Sequence, residues 1–119
     1  MNGGDMYAKL NKRVVCTDGF TMSVQANEGA YCSPRVSRSP SYLEVEVGYP
    51  SVREEMLMPY AESPEQATDT VYAYVPVAVV TNVIAKHGGI VSGDVPPGVI
   101  RLNPVELAAW NAKTEIPTG

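Results

Sequence analysis

Apolar and polar side chains alternate through much of the first two thirds of the chain, which predicts strands. Arg13-Val14-Val15-Cys16-Thr17 and Phe20-Thr21-Met22-Ser23-Val24-Gln25-Ala26 flank the pair Asp18-Gly19. Asp-Gly between two β-prone runs favours a two-residue type I′ turn, because both central residues accept positive φ. That turn pairs Thr17 with Phe20, Cys16 with Thr21, Val15 with Met22 and Val14 with Ser23. Val15, Phe20, Met22, Val24 and Ala26 then share an inward face, while Cys16, Thr21, Ser23 and Gln25 point outward. A second turn at Glu28-Gly29 returns the chain through Ala30-Tyr31-Cys32, with Tyr31 inward. Tyr42-Leu43-Glu44-Val45-Glu46-Val47 alternates strictly, with Leu43, Val45 and Val47 inward and both glutamates outward. Thr70 to Val75 alternates again, with Val71, Ala73 and Val75 on one face and Tyr72 and Tyr74 on the other.

The period changes at Pro76, which fits the first position of a helix. From Val77 to Lys86, the residues Val77, Val80, Val83 and Ile84 form an apolar stripe, and Gly88-Gly89 supplies a left-handed stop. Asn103-Pro104-Val105-Glu106 combines an N-cap residue, a proline at the first helical position and a glutamate three residues after the cap. It predicts a helix over Pro104 to Ala112, docked by Leu107 and Trp110. Val52 to Leu57 reads as one or two helical turns, and residues 33–41, 62–69 and 92–98 read as loops rich in turn-forming residues. Strands first and helices last describe an α+β domain: an antiparallel sheet of N-terminal hairpins with two C-terminal helices. It is expected to occupy residues 11–112, with a mobile leader over 1–10 and a loose tail over 113–119.

With 119 residues the chain has room for one core, and surface scaling buries about two thirds of the unfolded area. Nine Lys plus Arg against thirteen Asp plus Glu give a net charge of −4, so the chain as a whole repels polymeric nucleic acid. The apolar run from Val71 to Val80 is interrupted by Pro76 and falls short of the roughly 20 residues that span a bilayer. The N-terminal residues lack the basic and apolar regions of a signal peptide, so a cytoplasmic location is expected.

Candidate chemistry is sparse. One histidine and two cysteines with fifteen residues between them offer no metal-ligand spacing, and neither a metal nor a cofactor is expected. The expected registers put Cys16 and Cys32 two strands apart, beyond disulfide reach, so both read as free thiols. His87 suits the end of a helix through the dipole alone, and the pairs Glu44/Glu46 and Glu54/Glu55 read as solvated charge. No phosphate-loop glycine frame occurs, and no catalytic residue is assigned. A binding module needs less: aromatic rings to stack, cations to meet an anion, and a free helix start. Tyr72 and Tyr74 either pack under a second layer or line a pocket. Arg101, between Ile100 and Leu102, either snorkels or clamps a phosphate, and the adjacent helix start at Asn103 offers free N–H groups. Arg35 and Arg38 lie in the loop with the only local excess of positive charge. The candidate ligand-binding set is therefore Tyr72, Tyr74, Arg101, Asn103 and Arg35.

The chain runs through Val15-Cys16-Thr17-Asp18-Gly19-Phe20-Thr21-Met22-Ser23-Val24-Gln25-Ala26, then Tyr31-Cys32-Ser33-Pro34-Arg35, then Val71-Tyr72-Ala73-Tyr74-Val75-Pro76 and on to Lys86-His87-Gly88-Gly89-Ile90. In that order these segments resemble small phage and prophage proteins, and the Thoeris anti-defence sponge family in particular, over about residues 12–91. The resemblance implies a β-sheet followed by helices. It also implies a non-enzymatic protein that sequesters a cyclic nucleotide immune signal, such as a cyclic ADP-ribose isomer, in pockets between subunits of a homo-oligomer. Two-fold symmetry is the commonest arrangement, which favours an even number of subunits. The other reading is a phage inhibitor that binds a host defence protein through an acidic surface including Glu44, Glu46, Glu54 and Glu55.

Overall fold

The computed structural model describes residues 10–114. Five strands form one antiparallel sheet: β1 (Val14–Cys16), β2 (Thr21–Gln25), β3 (Glu44–Gly48), β4 (Val71–Pro76) and β5 (Ile90–Ser92). Their spatial order is β4-β3-β2-β1-β5. Helix α1 (Val77–Lys86) follows β4 directly and carries the chain from one edge of the sheet to the other, and α2 (Pro104–Thr114) follows β5. The chain is thus an α+β domain, as its hydrophobic pattern predicts. The expectations for the leader and the tail at residues 1–9 and 115–119 lie outside the described residues, and α2 runs to Thr114 rather than ending at Ala112. No helix among the described residues is long and apolar enough to cross a membrane.

The first hairpin differs from expectation by one residue. Val14 pairs with Met22 and Val15 with Thr21. The Cys16 N–H donates to the Phe20 carbonyl at 2.8 Å, and the Gly19 N–H donates to the Cys16 carbonyl at 3.0 Å. The loop therefore holds Thr17, Asp18 and Gly19, and of these only Gly19 takes a positive φ, +94°. Asp18 stays out of the left-handed region because its carboxylate accepts the Phe20 N–H at 2.9 Å, a side-chain cap that holds a three-residue loop. The shift turns Val14 and Cys16 inward beside Phe20, Met22 and Val24, and turns Val15 half out. Cys16 is thus a core residue, not an outward one.

Strand β3 keeps Val45 and Val47 buried, but Leu43, expected inward, precedes the strand and is 71% exposed. Between β3 and β4 the ladder pairs Val45 with Val75 and Val47 with Tyr72, so Glu46 alone opposes both Ala73 and Tyr74. This two-against-one bulge breaks the alternation read from the sequence. Tyr72 and Val75 point into the core, and Tyr74 points out with φ +53°.

Helix α1 buries Val80, Thr81, Val83 and Ile84, and Pro76 serves as its N-cap rather than its first residue. The Gly88 N–H bonds the Ala85 carbonyl and the Gly89 N–H bonds the Ile84 carbonyl, the Schellman closure that consecutive glycines permit. After it comes β5, for which the hydrophobic pattern predicts no strand and whose last residue, Ser92, is expected to begin a loop. It pairs with β1 through Cys16–Ile90 and Val15–Ser92. Three residues are too few to show a period. The capping box of α2 forms as expected: Asn103 Oδ1 accepts the Glu106 N–H at 2.7 Å, and Glu106 Oε1 accepts the Asn103 N–H at 3.2 Å.

The two registers of the first hairpin predict opposite costs. Val14→Ala removes fully buried methyl groups and is expected to cost about 2 kcal/mol, whereas Val15→Ala costs less than about 1 kcal/mol. Urea unfolding of the two variants checks this, and the reverse order would restore the two-residue turn.

Candidate functional site

The bulge in β4 builds an aromatic cluster at one edge of the sheet. Its extra residue directs the Tyr74 ring outward, and the Tyr74 N–H donates to the Tyr31 carbonyl at 3.0 Å. The Tyr31 N–H donates in turn to Glu46 Oε1 at 3.0 Å. The two rings face outward 6.0 Å apart, tilted by 46°, and the Arg35 guanidinium carbon sits 5.3 Å from the Tyr31 ring centroid, within cation–π range. Tyr31 and Tyr74 are 37% and 42% exposed. A tyrosine at φ +53° costs of order 1 kcal/mol or more, and strain of this kind persists where the surroundings enforce it. The result is a surface platform of two rings beside a cation, suited to stacking a planar group that carries an anion.

Of the five residues expected to bind ligand, the structure brings together Tyr74 and Arg35. Tyr72 is fully buried and its hydroxyl donates to the Ala67 carbonyl, so it is a core residue and not a ligand contact. Arg101 is exposed and its guanidinium bonds the Gly93 carbonyl at 3.1 and 3.2 Å, just after β5. Asn103 spends its carboxamide oxygen on the α2 cap. Since β4 and β5 are opposite edges of the sheet, four strand spacings or about 19 Å apart, Arg101 and Asn103 cannot share one small ligand with Tyr74 within a single chain. Tyr31, expected inward, is the residue that links Tyr74 to Arg35. Its outward direction depends on where the long β2–β3 connection meets β4, and no local pattern carries that information.

A second cluster joins three distant segments. His87 Nδ1 lies 2.6 Å from Asp18 Oδ2, and Nε2 lies 2.6 Å from Glu54 Oε1. Lys86 Nζ donates to Glu54 Oε2 at 2.8 Å, the Met56 N–H donates to the same oxygen at 3.0 Å, and the imidazole stacks on Phe20 at 4.0 Å. Glu54, read from the sequence as solvated, is 2% exposed. Burial pushes the Glu54 carboxyl up, but hydrogen bonds from Lys86, the Met56 N–H and His87 outweigh it and hold the group below its ordinary 4.5. The Phe20 N–H and then His87 hold Asp18 below its ordinary 3.8.

Little nucleophilic chemistry is available around these clusters. Burial, and then the Asp18 charge, push the Cys16 thiol up to about 11. Burial also raises the Cys32 thiol, and both cysteines are free. Both nitrogens of His87 face carboxylates rather than a thiol. Among the described residues no group of three or more His, Cys, Asp or Glu is placed to hold a metal ion. With Glu54 buried, an acidic docking surface would lose that residue. An apolar groove between α1 and α2 is lined by Val77, Ala78, Thr81, Ile100 and Trp110, among others, and takes in none of the five expected ligand residues.

The lowered carboxyls set an acid limit. A carboxylate with a lower pKa in the folded than in the unfolded chain contributes stability above the unfolded value and loses it as pH falls through the folded one. The urea midpoint is therefore expected to hold above about pH 5 and to drop as pH falls below the ordinary values of 4.5 and 3.8. Glu54→Gln is expected to cost about 1–3 kcal/mol at pH 7 and to flatten that profile; an unchanged profile would show that the network does not hold the fold. Comparison with protein-family models, with curated proteins and with solved structures finds no match for this chain.

Proposed function

We propose that this chain is a binding protein that holds a nucleotide on the Tyr31–Tyr74 platform and does not cleave it. The observation that carries this reading is the pair of outward rings with Arg35 beside them, fixed to the sheet by a bulge whose tyrosine is held in a strained backbone conformation. Stacking on an aromatic ring is worth about 1–3 kcal/mol per base, and an adjacent guanidinium meets phosphate. The weak nucleophiles around the site favour capture over catalysis. Within this class, the resemblance to the Thoeris anti-defence sponges makes the ligand a cyclic nucleotide immune signal. It makes the protein a phage product that acts in the host cytoplasm as a homo-oligomer with an even number of subunits. The platform is open on one side, which suits a site completed by the ligand or by a second copy.

The test is thermal unfolding against cyclic mono-, di- and trinucleotides and ADP-ribose isomers. A ligand at 100 times its dissociation constant adds about 2.7 kcal/mol to the folded state. Tyr74→Gly removes the ring and relieves the left-handed strain. It is expected to abolish the ligand shift while the unliganded melting temperature stays level or rises, and Tyr31→Ala is expected to weaken binding at least tenfold, about 1.4 kcal/mol. A flat panel overturns the reading, as does a ligand shift that survives both substitutions. A salt-sensitive complex with a host protein would then favour the inhibitor reading.

A further inference from the structure

We infer that Glu46 is the specificity residue of the tyrosine platform and selects nucleobases that present an exocyclic amino group, an inference that rests on the nucleotide reading above. Glu46 sits at the centre of the bulge, opposed by both Ala73 and Tyr74. Its neighbours Val45 and Val47 are fully buried, so its side chain belongs to the outward face of β3, where it is half-buried. One carboxylate oxygen, Oε1, accepts the Tyr31 N–H and so fixes the backbone that carries the first ring. A carboxylate has two oxygens and about four acceptor positions, and among the described residues no donor engages Oε2. The platform is therefore bipolar. Arg35 lies over one side of Tyr31 to meet phosphate, while Glu46, held at the Tyr31 N–H, keeps a second oxygen open to further donors. A stacked base with an amino group supplies them. A base without one leaves a partly desolvated carboxylate unpaired, and that penalty discriminates more strongly than the loss of a contact in an apolar pocket.

The experiment compares 3′,5′-cyclic AMP with the cyclic monophosphate of purine riboside, which differs only in lacking the amino group. Each is titrated calorimetrically into the full chain and into Glu46→Gln. Gln at this position still accepts the Tyr31 N–H, so the melting temperature is expected to hold. The wild type is expected to bind cyclic AMP at least tenfold more tightly than the analogue, and Glu46→Gln to lose that ratio through weaker cyclic AMP binding with the analogue unchanged. Equal wild-type affinity for the two probes, or a preference that survives in Glu46→Gln, overturns the role of Glu46 and leaves the nucleotide reading standing. Binding of neither probe overturns the role of Glu46, while the nucleotide reading falls only with a flat result across the nucleotides named above.

Discussion

The register of the first hairpin is the constraint on which the rest of the sheet depends. Side chains alternate with a period of two, so one extra loop residue moves every side chain of β1 to the opposite face. Asp18 caps the Phe20 N–H and Gly19 alone takes the left-handed conformation, which makes a three-residue loop the stable one. Val14 and Cys16 then enter the core opposite Met22 and Phe20. The same loop brings the Asp18 carboxylate to His87 and sets β1 to receive β5 along its other edge.

That contact opens an ionic chain that ties the turn to the end of α1 and to the segment around Glu54 between β3 and β4. Glu54 loses its water, and a buried carboxylate is tolerated only where charge and hydrogen bonds replace what solvent provided. Lys86, His87 and the Met56 N–H do this together, and the Phe20 ring stacks on the imidazole. The arrangement uses the chain's single histidine as a clamp, because each of its nitrogens already has a carboxylate partner.

The candidate site follows from a local irregularity of the opposite edge. The bulge in β4 divides two tyrosines that the sequence pattern puts together, sending Tyr72 into the core and Tyr74 to the surface. Its reach into the long β2–β3 connection recruits Tyr31 and, through it, Arg35. A platform built this way holds its rings through backbone bonds, so their spacing is set by the sheet and not by flexible side chains.

The sequence by itself determined the features whose causes lie within a few residues. The inward Val45 and Val47, the body of α1 with its double-glycine stop and the capping box of α2 were all legible there. So was the α+β class, because period and caps report on neighbours along the chain. The tertiary structure decided the exposure of Tyr31 and Leu43, the split between Tyr72 and Tyr74, and the burial of Glu54. It also separated Arg101 and Asn103 from Tyr74 by the width of the sheet. Each of these depends on partners far apart in sequence, as His87 is 69 residues from Asp18 and 33 from Glu54. No local pattern encodes such pairings, because the energy that selects them comes from surfaces that meet only when the sheet has formed.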